Sequence, residues 1–175
     1  MESIEYVIIK KKNKPKLMET KKVKHKINHG NDEKHIIELL TKTYKLKNLT
    51  EEYAYILGFQ GKKLAGIFQL SHGTVKKCDM EMKTIYKFLF LLGADGFVIC
   101  HNHPNERCEM SQDDYNRTTE LVAISNLFSI SFYSHIIIGN DGWRNAKDDL
   151  CQMHLRNIDN VNEYYRKEKI SCKED

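Results

Sequence analysis

The chain has 175 residues, 41% of them hydrophobic and 10% aromatic, which is typical of one globular domain and excludes a disordered chain. No apolar run approaches the roughly 20 residues of a membrane span, and the first lysines follow the short apolar run, whereas a secretory signal places them before it. The five cysteines, an odd number without a C-x-x-C pair, indicate reduced thiols. We therefore expect a cytoplasmic protein.

The net charge of +4 is unevenly distributed, because residues 1–30 carry nine lysines against three glutamates. Such a basic segment can contact the phosphates of a nucleic acid, or it can be the solvated face of strands. The solvated face is the more frequent case. Nucleic acid is therefore the secondary hypothesis for a partner, a membrane is not expected, and the sequence leaves the oligomeric state unknown.

The first third of the chain predicts two strands and a helix. A β-branched run over 4–9 predicts a strand that ends at the turn 10–15, and alternation over 21–27 predicts a second extended segment. A helix is predicted to begin at Asn31-Asp32-Glu33 and to continue to about Lys45.

The middle of the chain predicts a hairpin and then a helix. Its strands are expected over 53–59 and 64–70, around a tight turn at Gly61. Asp79 is the expected cap of a helix that Gly93 ends.

The last elements predict a sheet covered by helices. A continuous apolar strand over 96–100 is followed by a helix from Ser111 to about Asn126 and by strand character over 129–138. Trp143 is expected to pack under the rim of the sheet. The order β-β-α-β-β-α-β-α-β predicts an α/β fold over 1–150, with 1–30 as its basic N-terminal strands and 151–175 as a terminal helix or tail.

The stretch "HNHPNERCEMSQDD" after the apolar strand carries the candidate site. In an extended segment His101 and His103 point to the same side, and Cys100 to the other. If Ser111 caps the next helix, the carboxylate of Asp114 lies in its first turn, where the helix dipole favours the ionised form.

Two histidines and one carboxylate, with the fourth position left to water, suit a catalytic Zn²⁺ site. The metal ligands would be His101, His103 and Asp114, and Ser111 would steady the water or the developing oxyanion. The simpler interpretation is a capping box beside two exposed histidines. A third is a closed structural site that recruits Cys100 or Cys108, although alternation places Cys100 on the wrong face.

The spacing His-x-His-Pro-x6-Ser-x-x-Asp resembles the motif of JAB/MPN metalloprotease-like domains, and "VICHNHP" is especially similar to their RadC-like branch. "SHIIIGNDGW" is similar to the family's "DHIIIG" segment, with Ser134 in place of the aspartate. The resemblance covers roughly residues 30–145. It implies a mixed sheet sandwiched between helices, as in the three-layer fold of cytidine deaminases, with metal ligands at His101, His103 and Asp114.

One departure concerns the general base. By resemblance, a glutamate is expected where this chain reads His72-Gly73-Thr74. A histidine can accept a proton near neutral pH, so His72 is the candidate base. It can equally be an ordinary turn residue, and Glu51, Glu52 or Glu81 are alternatives.

Three functions follow from these features. The first is a zinc hydrolase of the RadC-like JAB type acting on a peptide or isopeptide substrate. The second is a catalytically impaired module associated with DNA or protein partners, in a DNA-repair-like role. The third, a metal nuclease, has little support, because three adjacent letters His-Asn-His are not the HNH motif.

Overall fold

The computed structural model describes residues 1–73 and 80–154, and its seven strands form one mixed sheet in the order β2-β1-β4-β3-β5-β6-β7. The strands are β1 (Glu2–Lys11), β2 (Lys14–Lys24), β3 (Tyr53–Gln60), β4 (Lys63–His72), β5 (Gly96–Asn102), β6 (Ser131–Gly139) and β7 (Gly142–Asn145). The helices are α1 (Glu33–Glu38), α2 (Met82–Leu92) and α3 (Gln112–Phe128), and residues 146–154 are also helical. The predicted order of elements is confirmed, with β7 added to it.

The helices cover both faces of the sheet, as expected for an α/β sandwich. Ile36 of α1 packs in one hydrophobic cluster with Leu57 and Val98. On the opposite face, Leu89 of α2 and Leu121 of α3 share a second cluster with residues of β3 and β5. Successive side chains of a strand point to opposite faces, so each central strand contributes to both clusters.

The sheet is mixed because two of its strand pairs are parallel, β1 with β4 and β5 with β6. The crossover from β5 to β6 is α3. Parallel strands end at the same edge of a sheet. The ends of β5 and β6 and the connection into α3 therefore lie close together, and this is where the histidine motif stands.

The first hairpin differs from the prediction. β1 continues to Lys11 and β2 already starts at Lys14, so only Lys12 and Asn13 form the turn, both with positive φ. Two-residue hairpin turns need such backbone angles, which match the twist of the strands. Pro15 lies inside β2, and proline is tolerated there because β2 is an edge strand with one side unpaired.

Two further predictions need correction. The helix expected to reach about Lys45 is α-helical only to Glu38 and continues as a π-helical turn over Leu39–Thr43. The wider turn lets Leu39 and Leu40 both enter the core. Trp143 is not packed under the rim, since it lies on the edge strand β7 with 43% of its surface exposed.

The ends of α2 are partly as expected. Gly93 ends the helix with a left-handed φ of 68°. Asp79, the expected cap, and Thr74 lie outside the described residues, as does 155–175 of the predicted tail. Among the described helices, none combines the length and the apolar character of a membrane span.

The core between α2 and the sheet offers a matched test. Phe88 is fully buried and stacks on Phe68 at 5.0 Å, whereas Phe90 on the same helix is 55% exposed. We expect Phe88→Ala to lower the free energy of unfolding by about 3–5 kcal/mol, because it leaves a cavity, and Phe90→Ala to lower it by less than about 1 kcal/mol. Urea unfolding measures both, and equal losses would contradict this packing.

Candidate metal centre

The end of β5 presents two imidazoles on the face covered by α3. Ile99 of β5 belongs to the hydrophobic cluster shared with α2 and α3. His101 follows it two residues later in the same strand, so its side chain points to the same face. His103 follows two residues later, and its Nε2 lies 2.9 Å from the Nε2 of His101. Cys100 points the other way, into the cluster on the α1 face.

The first turn of α3 brings a carboxylate to the same place. Ser111 is the N-cap, and a reciprocal capping box joins it to Asp114: the Ser111 Oγ accepts from the Asp114 N–H at 3.1 Å, and the Ser111 N–H donates to Oδ2 at 2.9 Å. The Ser111 hydroxyl also lies 2.5 Å from Oδ2 and donates to it. The capping box and the metal-site interpretation are therefore compatible, since one carboxylate serves both.

Three side chains converge on one point. Asp114 Oδ1 is 3.1 Å from His101 Nε2, and Asp114 Oδ2 is 3.4 Å from His103 Nε2. These residues form the group of potential metal ligands in the described residues, with donor atoms within 4.8 Å of one another. Ligand atoms about 2.0–2.2 Å from a shared ion in a tetrahedral arrangement lie about 3.3–3.6 Å apart. The two contacts of Asp114 are near this range, the two Nε2 atoms at 2.9 Å would have to separate slightly, and the donor types suit a divalent metal.

The charges at this point favour a cation. Burial opposes ionisation of Asp114, which is 5% exposed, but hydrogen bonds with His101 and His103 outweigh it and hold the pKa of the carboxyl far below its usual range. Burial likewise opposes protonation of His103, yet the hydrogen bond with Asp114 raises its pKa overall. The site is thus a fixed negative charge faced by two imidazoles.

The orientation of His103 is set by its other ring nitrogen. Nδ1 lies 3.2 Å from the carbonyl oxygen of Arg107. A carbonyl only accepts, so Nδ1 carries the hydrogen and donates it. This leaves Nε2 as the nitrogen directed at His101 and Asp114.

The cysteines do not take part in the cluster. Cys108 lies in a separate small hydrophobic cluster with Ile137 and Ala146. Neither Cys108 nor Cys100 belongs to the group of potential ligands found in the described residues. The alternative of a closed structural site with a cysteine ligand therefore has no support in this part of the chain.

His72 lies away from the cluster. It pairs with Tyr53, stacks on that ring at 4.2 Å and contacts the carboxylate of Glu51. The neighbour of Tyr53, Ala54, pairs with His101 and belongs to the α2–α3 face. Directly paired residues share a face and successive residues alternate, so His72 is on the face opposite to His101.

Glu52 is the acidic residue that the strand register brings to the site. It stands two residues before Ala54, on the same face as His101. Burial raises the pKa of Glu52, and the positive fields of His101 and His103 offset part of that rise. The sequence alone does not distinguish Glu52 from Glu51 or Glu81. The pairing of β3 with β5 shows which of the three approaches the histidines.

Asn102, between the two histidines, fixes the backbone on both sides of Glu52. Its side-chain oxygen accepts from the Tyr53 N–H at 2.8 Å, and its amide donates to the Glu51 carbonyl at 3.0 Å. The asparagine is fully buried. It therefore joins the start of β3 to the end of β5 beside the cluster.

Comparison with known proteins identifies the family of the chain. Residues 31–149 match the family model described as RadC-like JAB domain. A UPF0758 protein of Trichodesmium erythraeum is 32% identical over 90 residues, which are 51% of this chain and 37% of that protein. A UPF0758 protein of Clostridium acetobutylicum is 26% identical over 106 residues, 60% of this chain and 46% of the relative.

The chain spans less than half the length of these two curated relatives. The family match, in contrast, covers more than half of the chain and contains all three residues of the cluster. This protein therefore belongs to the family of RadC-like JAB domains.

Proposed function

We propose that this protein is a zinc-dependent hydrolase in which an activated water attacks an amide or isopeptide bond. The observation that carries the proposal is the convergence of His101, His103 and Asp114, with donor atoms within 4.8 Å of one another. Zn²⁺ held by these residues would act as a Lewis acid and lower the pKa of a water ligand to about 7. The substrate class follows from the resemblance to JAB metalloprotease-like domains.

Glu52 is the proposed general base, in place of His72. It faces the same side as His101, and burial raises the pKa of its carboxyl towards the range in which proton transfer at neutral pH is efficient. Its carboxylate accepts a proton from the attacking water, and the carboxylic acid then donates that proton to the nitrogen of the leaving amine. His72 lies on the opposite face and contacts the carboxylate of Glu51, which favours Glu52 over it as the base.

Ser111 is proposed to position Asp114. Its hydroxyl donates to Asp114 Oδ2, so the hydrogen that would steady an oxyanion is already engaged. The role expected from the sequence, stabilisation of the oxyanion, would require the hydroxyl to rotate away from the carboxylate.

A second function, binding of a double-stranded nucleic acid, is favoured by the tip of the β1–β2 hairpin. Five exposed lysines stand there within seven residues: Lys10, Lys11, Lys12, Lys14 and Lys16. Among the salt bridges of the described residues, Lys21 and Lys22 at the base of the hairpin have glutamate partners, whereas none involves the tip.

The geometry of the hairpin suits the same partner. Only residues 4–6 of β1 pair with β4, so the tip continues as a two-stranded ribbon beyond that pairing. A two-stranded ribbon fits the major groove of DNA, and lysines neutralise its phosphates. The tip carries no large apolar side chain that would insert into a lipid surface.

The metal ligands are tested by titration with Zn²⁺. We expect wild type to bind a single ion and His103→Ala to bind it more than about 100-fold more weakly, because one of the three ligands is lost. His72→Ala is the matched control and should bind as wild type does. Competition with a chromophoric chelator gives the affinities, and an unchanged affinity of His103→Ala would refute the ligand set.

The proposed base is tested with a panel of peptide, isopeptide-conjugate and DNA substrates. We expect Glu52→Gln to lower the rate of amide hydrolysis by about 10²–10⁴-fold while Zn²⁺ affinity is retained, because the proton acceptor is lost and the ligands remain. Glu51→Gln is the neighbouring control with a near wild-type rate, and a chelator should stop every reaction. Full activity of Glu52→Gln, or hydrolysis of DNA alone, would contradict the proposal.

The hairpin is tested by fluorescence anisotropy with duplex DNA over a series of salt concentrations. Replacing Lys12 and Lys14 by alanine should weaken binding and reduce the slope of log K against log salt by roughly 2, since two phosphate contacts are lost. The control replaces Lys62 and Lys63 at the β3–β4 turn, which should leave the slope unchanged. Equal effects of the two double variants would exclude a specific role for the tip.

A further inference from the structure

We propose that His135 and Thr118 are positioning residues, which hold His101 in the tautomer that directs an Nε2 lone pair at the metal. The inference rests on the proposed function for the presence of that metal. It follows from a chain of three hydrogen bonds behind the site. His101 Nδ1 lies 3.1 Å from His135 Nε2, His135 Nδ1 lies 2.7 Å from Thr118 Oγ1, and Thr118 Oγ1 lies 2.6 Å from the carbonyl oxygen of Asp114.

The contact between Thr118 and the Asp114 carbonyl determines which atom donates in each of these hydrogen bonds. The Asp114 carbonyl only accepts, so at 2.6 Å the Thr118 hydroxyl must donate its single hydrogen to it. The hydroxyl then offers only lone pairs to the other neighbour. At 2.7 Å from those lone pairs, His135 Nδ1 must carry a hydrogen.

The burial of His135 determines whether its second ring nitrogen, Nε2, carries a hydrogen. The residue is 0% exposed, and its side-chain hydrogen bonds go to His101 and Thr118, neither of which is an anion. An imidazolium buried without a carboxylate partner would be costly, so the ring is neutral and has one hydrogen. Since that hydrogen is on Nδ1, His135 Nε2 is an acceptor.

The consequence reaches the metal ligand. An acceptor at His135 Nε2 requires His101 Nδ1 to donate, so the neutral His101 ring that binds a metal has no hydrogen on Nε2. The reverse direction would put a hydrogen on His101 Nε2 and block its lone pair, 3.1 Å from Asp114 Oδ1. Metal-bound histidines usually donate to a carboxylate or a carbonyl. Here a neutral imidazole accepts and adds no charge to the site.

The contacts also link the two ligands through the fold. Thr118 stands one helical turn after Asp114 on α3, and His135 is on β6. The series of hydrogen bonds thus runs from the backbone carbonyl of Asp114 to the ring of His101. A role limited to packing would change stability without changing either tautomer or metal affinity.

The matched pair Thr118→Val and Thr118→Ser tests the proposal. Valine keeps the shape but removes the hydroxyl, and serine keeps the hydroxyl. We expect Zn²⁺ affinity to fall by roughly 10–100-fold in Thr118→Val and to stay within about 3-fold of wild type in Thr118→Ser. Equal affinities in the two variants would overturn the proposal.

A second measurement reads the tautomer directly in the metal-free protein. In ¹⁵N-edited imidazole spectra, we expect His135 of wild type and Thr118→Ser to carry its hydrogen on Nδ1, and Thr118→Val to shift towards the Nε2–H form. A hydrogen on Nε2 of His135 in wild type would overturn the assignment of direction.

The two proposals fail in different ways. If wild type binds Zn²⁺ and shows the expected tautomer but hydrolyses no amide, the hydrolase proposal is wrong and the positioning role is supported. Wild type that binds no Zn²⁺ overturns both, whatever the tautomer. If wild type hydrolyses the amide but the two Thr118 variants bind Zn²⁺ equally well, only the positioning role is wrong.

Discussion

The buried carboxylate of Asp114 is the charge on which the rest of the site depends. It lies 3.1 Å from one imidazole nitrogen and 3.4 Å from another, in a place where an uncompensated negative charge would be expensive. The hydrogen bond with Asp114 raises the pKa of His103. A divalent cation held between the three groups would offset the same negative charge, so the cluster has the charge that a metal requires.

The fold holds this charge by joining separate elements at one edge of the sheet. β5 supplies the histidines, and α3, the crossover to the parallel strand β6, supplies the carboxylate from its first turn. Behind them, β6 contributes His135, which contacts His101. In front of them, Asn102 joins the start of β3 to the end of β5 and so places Glu52. These contacts join β3, β5, β6 and α3, so the site depends on the tertiary structure as a whole.

Much of the ligand set could be predicted from local rules. Alternation along an extended segment places His101 and His103 on one side, and the spacing from Ser111 places Asp114 in the first helical turn. The proposed base, Glu52, could not be predicted in that way. Glu52 and His72 are both near a strand end, and only the register that pairs Ala54 with His101 and Tyr53 with His72 separates their faces. A shift by one residue would exchange them. The π-helical turn after α1 cannot be predicted for a related reason, since it depends on the core that receives Leu39 and Leu40.

Whether His101, His103 and Asp114 share one ion can be measured in a crystal structure of the Zn²⁺-loaded protein with anomalous data at the zinc edge. We expect a single strong anomalous peak about 2.0–2.2 Å from both Nε2 atoms and one carboxylate oxygen, with no sulfur ligand. A peak bound elsewhere, or zinc-soaked crystals in which the three groups keep their direct contacts with no peak between them, would contradict the shared site.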